Sequence, residues 1–563
     1  MSWMQSDAPR PVFLARCLAQ LARSHTDQPE LEAFLRRCLE RFDEGAVVDA
    51  VSKALRQVRP GAAHARLRLV RTTLRLLPPS AADSFADRHL DIVHGDATSR
   101  RDLAWMLYKL GRLIRPAELV DPADERSDSL RRIVVAESRA LAEGISLSPP
   151  VLSPVATGDR VMYVVAHSLP VQGVGYTIRT QWLARHLREL GWVVDVFARY
   201  GYPADRTDTV GPTEVTHAEV EGVPYHFSPD PAARDLDLHS YIEAAAAQLV
   251  RQADSFRPSL IHCASNFRVG LAGIEAARRL GIPSIYEVRG LWHYSRAAKE
   301  AYYTGSEHFQ LSHKLELQAA ASADRVLTNG PALRDLFIAA GVPAERIADI
   351  PNGVDLEPFE PAPPAPALQQ KLGLAGRTVI GYIGTFFHFE GIDDLVRAAD
   401  QLRGRHGDSF RVLLVGDGPE YDSLVDLVKR LGLAEIVRFT GRVPHDGVRD
   451  YYSAIDVAVY PRRGVPVCEL VPPLKPLEAM AARVPVVVSS AAALASLVVP
   501  GRTGLVHAKD DVASLCRCLE QLLESRALRQ ELAAAAHERV QGSRWSDSAA
   551  KIAAVYRDLG MRL

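Results

Sequence analysis

Alternation constrains this chain most. From residue 160 onward, short β-rich runs and helical patterns follow each other in two long series. RVMYVVAH, WVVDVFAR, LIHCA, SIYEV and RVLTN make the first series; TVIGYIG, FRVLLVG, IVRFTG, VAVYP and VPVVVSS make the second. Apolar runs of this length with amphipathic helices between them predict parallel strands covered by helices on both faces. Two proline-rich stretches punctuate the order: SLSPPVLSPVATGD (146–159) and EPFEPAPPAPA (357–367). The expected architecture is α/β. A linker at 146–159 leads to one Rossmann-like domain at 160–356. A hinge at 357–367 leads to a second at 368–545, and a terminal helix at 546–563 crosses back to the first. The two halves would face each other across a cleft.

Before that, residues 1–145 read as all-helical. LEAFLRRCLERF, AVVDAVSKALRQV, ARLRLVRTTLRLL and RDLAWMLYKLGRLI repeat apolar residues at helical spacing without a fixed longer period. In 66–77, Leu67, Val70, Leu74 and Leu77 share a face while Arg68, Arg71 and Arg75 lie elsewhere. That pattern suits a bundle helix with a solvated face better than one lying on an anionic membrane. The module is expected to serve interaction with a partner protein, self-association, or docking at the inner face of a membrane. With 67 Lys plus Arg against 68 Asp plus Glu, bulk positive charge is not available for nucleic-acid binding. No apolar run approaches the ~18 residues of a membrane span, and the start lacks a basic then apolar leader, so a cytoplasmic location is expected. Six cysteines are scattered, and the C-x-C at 516 and 518 has neither zinc nor redox spacing. Only nine of the basic residues are lysines.

Chemistry concentrates at strand ends. After the first strand, VVAHSLPVQGVGYTIRT places Gly173 and Gly175 ahead of a helix, where backbone can approach a ligand closely. A dinucleotide fingerprint would need glycine at position 178, which is Ile, so a dehydrogenase is disfavoured even with Asp195 near the ribose-binding position. In the second series PNGVD (351–355), GDGPEYDSL (416–424), VRFTGRV (437–443) and VPPLKPLEAMAARVPVVVSS (471–490) occur in order. PLEAMA opens a helix after a proline-rich turn, so its first N–H groups would offer a diphosphate site.

By these four ordered motifs the sequence resembles retaining glycosyltransferases of family 4, which have the GT-B fold, and among them some exopolysaccharide-type members. The resemblance covers about residues 160–560. It implies transfer of a sugar from a nucleoside-diphosphate sugar to a hydroxyl acceptor, such as a polysaccharide, a lipid-linked sugar or a natural product, with no metal and no other cofactor. It implies that Glu478 binds ribose, that Gly384 and Thr385 lie along the donor, and that Gly173, Gly175 and Leu477 flank its phosphates.

Two departures stand out. The family's E-x7-E pair would begin at position 470, which is Leu; Glu469 is one place early, and a bulge in the loop constrained by Pro472, Pro473 and Pro476 would let it reach the donor sugar. The family's G-R-x4-K-G is here GTFFHFEG (384–391), with Thr385 and Glu390 at the cationic positions. A leaving diphosphate needs positive charge. Lys475, Arg462 and Arg463 are expected to supply it, with Glu390 orienting Lys475 or Arg462. Losing both family cations also suits a non-catalytic GT-B scaffold that recruits partners in glycan assembly. An epimerase would isomerise a nucleotide sugar without an acceptor.

In the first series His262 ends a strand, and EVRGLWHYS (287–295) places Arg289 and Gly290 where many family members carry His-Asp. Arg289, His262 and His293 are expected on the acceptor or phosphate side, and His313 and Glu316 near the cleft. The one D-x-D, Asp235 and Asp237, lies in a polar stretch and reads as incidental.

Overall fold

The computed structural model describes residues 158–206, 213–359, 366–444 and 447–563. Upstream it describes 28–41, 44–58, 62–77, 97–120 and 124–150, with positions 15, 17–19, 22, 85, 88, 89 and 156. Residues 151–155, 157 and 360–365 of the two proline-rich stretches, and the side chains of Arg71, Leu74 and Arg75, therefore lie outside the described residues.

The chain divides into two compact units. The smaller takes residues up to Ser146 and also the segments Asp235–Tyr241 and Glu300–Leu315, which the sequence pattern assigns to the first Rossmann-like half. Its described helices include Gln28–Arg41, Glu44–Gln57, Ala63–Leu76, Ala97–Lys109 and Asp128–Glu143. They close over Leu35, Val51, Leu55, Leu69, Leu107 and Val134. Asp237 is occupied as a helix cap: its carboxylate accepts from the His239 and Ser240 N–H groups and from Ser240 Oγ. No helix among the described residues is long and apolar enough to cross a membrane.

The larger unit holds two sheets. The first contains β1 (Arg160–Val165), β2 (Val193–Ala198), β3 (His217–Val220), β4 (Val223–His226), β5 (Leu260–Ala264), β6 (Ser284–Val288), β7 (Arg325–Thr328) and β8 (Ile347–Asp349). Their order is β3-β4-β2-β1-β5-β6-β7-β8, parallel except for β3 against β4. The second contains β9 (Thr378–Ile383), β10 (Phe410–Val415), β11 (Val437–Gly441), β12 (Val457–Tyr460), β13 (Val486–Ser489) and β14 (Leu505–His507), in the order β11-β10-β9-β12-β13-β14, all parallel. β1, β5, β6 and β10 are buried throughout or nearly so, as helices on both faces require.

Strand order reverses between β1 and β5 in one lobe and between β9 and β12 in the other. Such switch points open the crevices in which α/β sheets bind ligands. The last helix, Trp545–Asp558, places Trp545, Ile552 and Tyr556 in the core of the first lobe. It begins where Val354 N donates to Ser543 O at 2.9 Å. A Cβ on Gly353 would stand 2.6 Å from Trp545 N, so only glycine admits this approach.

Candidate functional site

The loop after β9 and the loop after β12 meet at Gly391. Its φ of 69° is left-handed, and a Cβ there would stand 2.1 Å from Pro461 O. Glycine thus brings Glu390 against Arg462. Arg462 Nη2 and Nε donate to the two Glu390 oxygens at 2.9 and 3.2 Å, and Nη1 donates to Val471 O at 3.1 Å. From the other side Lys475 Nζ lies 3.2 Å from Glu390 Oε1 and 2.5 Å from Tyr382 Oη. Burial opposes ionisation of Glu390, but Arg462 and Lys475 outweigh it and hold its carboxyl down at about 2. Burial draws Lys475 below its usual value, with Glu390 acting against that.

The division of labour follows from exposure. Arg462 is buried and uses three of its five N–H groups on Glu390 and Val471, away from solvent. Lys475 is 21% exposed, and an ammonium has three N–H groups. Two are engaged, leaving one for a ligand. The ammonium reaches this place because Gly384 has no side chain: a Cβ there would stand 2.3 Å from Lys475 Cε. Thr385 is exposed beside it, and its carbonyl accepts from Tyr382 Oη at 3.1 Å.

Helix Lys475–Ala481 offers fewer donors than the sequence suggests. Pro476 has no N–H, and Leu477 N and Glu478 N already donate to Leu474 O at 3.0 and 3.3 Å. The side chain of Leu477 belongs to the lobe's core. Glu478 Oε2 accepts from Tyr452 Oη at 3.1 Å, while Tyr460 Oη donates to Lys475 O at 3.0 Å. These tyrosines, with Tyr382, are site residues that the sequence motifs do not reveal.

Glu469 and Arg463 stand apart from this cluster in their contacts. Glu469 lies in helix Pro466–Leu470; its carboxylate accepts from Ala492 N at 2.7 Å and pairs with Lys509 Nζ at 2.5 Å. Arg463 Nη2 contacts both oxygens of Asp393 at 2.7 Å and its Nε donates to His388 O at 3.1 Å. It braces the helix that Gly391 precedes and does not join Lys475.

Loop 471–474 spans to the first lobe. Val471 packs on Gly290, Pro472 on Gly330 and Leu474 on Gly175, and Asn352 Nδ2 donates to Pro472 O at 2.9 Å. Gly173 is exposed, with nothing within 4 Å of the Cβ position. Beneath these loops lies a buried ionic network. Glu287 accepts from Arg179 Nε at 2.8 Å and from Arg289 Nε and Nη2 at 2.9 and 2.8 Å. Arg289 Nη1 donates to Tyr176 O and Thr180 Oγ1, and Nη2 to Tyr163 Oη. Burial opposes ionised Glu287, yet the two arginines keep its carboxyl well below the ordinary range.

The structure therefore corrects the cleft-facing reading of Arg289 and His262. Every guanidinium nitrogen of Arg289 is engaged inside the lobe. His262 is fully buried between Tyr556 Oη at 2.8 Å and Glu287 at 3.5 Å, and burial lowers its pKa. His293 is buried beside Tyr294. Glu316 is also inside, accepting from Phe267 N at 3.1 Å and from Tyr286 Oη, with burial pushing its carboxyl up to about 7. His313 is partly buried against Phe309. Asp195 is taken by His226 at 2.8 Å and Arg188 at 3.3 Å. Arg289 does follow the end of β6 yet turns inward, whereas His262 lies in the middle of β5 and not at its end. Among the described residues no group of three or more His, Cys, Asp or Glu could hold a metal ion.

Two glycosyltransferase family models match this chain, one in each lobe. The family model "Glycosyl transferase 4-like domain" matches residues 174–353, and "Glycosyl transferases group 1" matches residues 377–525. A D-inositol 3-phosphate glycosyltransferase of Nocardiopsis dassonvillei is 28% identical over 437 residues, spanning 72% of this chain and 96% of that one. A GDP-mannose-dependent alpha-mannosyltransferase of Mycobacterium tuberculosis is 26% identical over 361 residues, spanning 62% and 84%. Among solved structures, a sucrose-phosphate synthase from Thermosynechococcus elongatus aligns with a TM-score of 0.58 at 23% identity, covering 71% of this chain and 99% of that one. Anabaena HepE in complex with UDP-glucose aligns with a TM-score of 0.55 at 20% identity, covering 71% and 99%. The two sheets are those of the GT-B fold.

Proposed function

We propose that this chain, a group 1 glycosyltransferase of family 4 type, moves a hexose from a nucleoside-diphosphate sugar to a hydroxyl acceptor with retention of anomeric configuration. The observation that carries the reading is Lys475. It is a largely buried ammonium at a strand-order switch point, fixed by Glu390 and Tyr382, with one N–H unspent. Charge that develops on a departing diphosphate is stabilised by such a prepositioned donor. In the reaction the acceptor oxygen bonds to the anomeric carbon as the bond from that carbon to the phosphate oxygen breaks. The acceptor's proton passes to the departing phosphate on the same face, so no side-chain base is required.

In this reading the loop carrying Gly173 and Gly175 borders the phosphates from the first lobe, Glu478 binds the ribose, and Glu469 reaches the sugar only if it leaves Lys509. The GDP-mannose dependence of one relative and the UDP-glucose bound to another make GDP and UDP the first nucleotides to try. Metal is not required for the step, and EDTA should leave the rate unchanged. The polysaccharide or glycolipid setting, the cytoplasmic location and the partner-binding role of residues 1–145 belong to the same reading.

The test is direct. Purified protein is given UDP-, GDP- and ADP-sugars, and donor consumption and melting temperature are followed. A ligand that binds only the folded state raises its melting temperature. Consumption by wild type and its loss in Lys475→Ala support the proposal. No shift and no turnover with any of the three would favour the scaffold reading, which the cation-poor GTFFHFEG segment motivates.

A further inference from the structure

Trp292 opens helix Trp292–Ala297, two residues after Gly290, which packs on Val471 of the opposite lobe. It is 36% exposed, among the largest exposed apolar side chains described. Its indole is nevertheless held in place. His167, just beyond β1, stacks on it with ring centroids 5.3 Å apart and planes 9° from parallel. Tyr176, next to Gly175, meets it edge-on at 6.4 Å and 77°. Tyr176 is itself locked, accepting from Ala166 N at 3.1 Å and donating to Ser265 O at 2.9 Å. Tyr202 backs His167 edge-on at 5.7 Å. The indole N–H of Trp292 has no partner among the described residues.

We propose that the stacked pair His167–Trp292 is a platform for a ring-shaped polyol, a pyranose or a cyclitol, in the acceptor, and that Trp292 determines this specificity. The inference rests on the glycosyltransferase reading for its place in the reaction. Such rings present one face of C–H groups and an edge of hydroxyls. A rigid indole offers the matching pair, a flat apolar face and an N–H at its rim. The platform is preorganised, so binding does not have to order it. It stands beside the two loops, carrying Gly175 and Gly290, that touch 471–474 and therefore lead to Lys475. An acyclic hydroxyl, as on glycerol or serine, has no face to stack and gains nothing here.

The 563-residue chain is examined by saturation-transfer NMR with methyl α-D-mannopyranoside, methyl α-D-glucopyranoside and myo-inositol, and with glycerol as the acyclic comparison. At least one ring compound should give transfer concentrated on the C–H groups of one face, and glycerol should give none. Trp292→Ala should weaken ring binding about tenfold. Trp292→Tyr keeps a stacking face and should retain most of it, which separates loss of the platform from loss of fold. The melting shift caused by the nucleoside diphosphate should be the same in all three proteins. The proposal is overturned if no ring compound binds wild type, if glycerol binds as well as the rings, or if Trp292→Ala binds rings unchanged. Nucleotide shifts report on the glycosyltransferase reading separately, so either result can fail without the other.

Discussion

At the scale of single residues the site is an arrangement of three charges in which only one faces outward. Lys475→Ala should lower kcat about 100- to 1000-fold, the usual effect of deleting one prepositioned donor, read as initial rates with the donor saturating. Glu390 makes a different prediction because it is buried between two cations. Its folded value of about 2 lies below the ordinary 4.5. A depressed acid contributes stability that is complete above 4.5 and fades as pH falls toward 2, here about 3 kcal/mol. Glu390→Gln should leave Arg462 buried opposite no anion, at a cost of about 3–5 kcal/mol at neutral pH. Its acid unfolding should be flatter across that window, as followed by circular dichroism. Lys475 and Glu390 were legible in the sequence because PLKPLE and FEG sit at fixed distances from strands. Tyr382, Tyr452 and Trp292 were not, because their roles arise from contacts between residues tens to hundreds of positions apart. Arg289 and His262 illustrate the opposite error: a strand-end arginine and a histidine that lies inside β5 belong to a buried network that only the packing of Glu287 reveals.

At the scale of elements, loops are tuned by close approach. Gly384→Ala places a Cβ where Lys475 Cε now lies, at a φ of 147° that disfavours a side chain. Activity should fall nearly as far as in Lys475→Ala, with a smaller loss of melting temperature. Glu316 gives an element-level titration. It receives the first N–H of helix Phe267–Leu280, and burial raises its carboxyl to about 7. A raised acid binds its proton more tightly in the folded state, so stability should decline as pH rises from 4.5 to 7. Glu316→Gln should remove that decline in denaturant titrations at pH 5 and 7.5. The ten strands with apolar runs were readable, four-residue ones such as VAVY and VVVS included. The peripheral pieces β3, β4, β8 and β14 were missed, since HAEV, VPYH, IAD and LVH are only partly buried and carry no continuous apolar run. The diphosphate-binding helix mouth was over-read, because the sequence does not disclose that Leu474 O collects the N–H groups of both Leu477 and Glu478.

For the whole molecule the decisive feature is the doubled crossing between lobes, where residues 350–354 run beside 543–545. Gly353→Ala would press a methyl group onto the Trp545 backbone, and should cost about 1–3 kcal/mol while loosening the terminal helix, as detected by hydrogen exchange in 545–558. That helix supplies Trp545, Ile552 and Tyr556 to the core of the lobe that contains β1. Synthesis runs from the other end. When a ribosome has made residues 160–356, every strand of that lobe exists, yet its core lacks side chains almost two hundred residues away. Chains arrested at residue 540 should keep the β1–β8 lobe open to protease, and chains extended past the terminus and clear of the exit tunnel should close it. The lobe that is translated first is completed last.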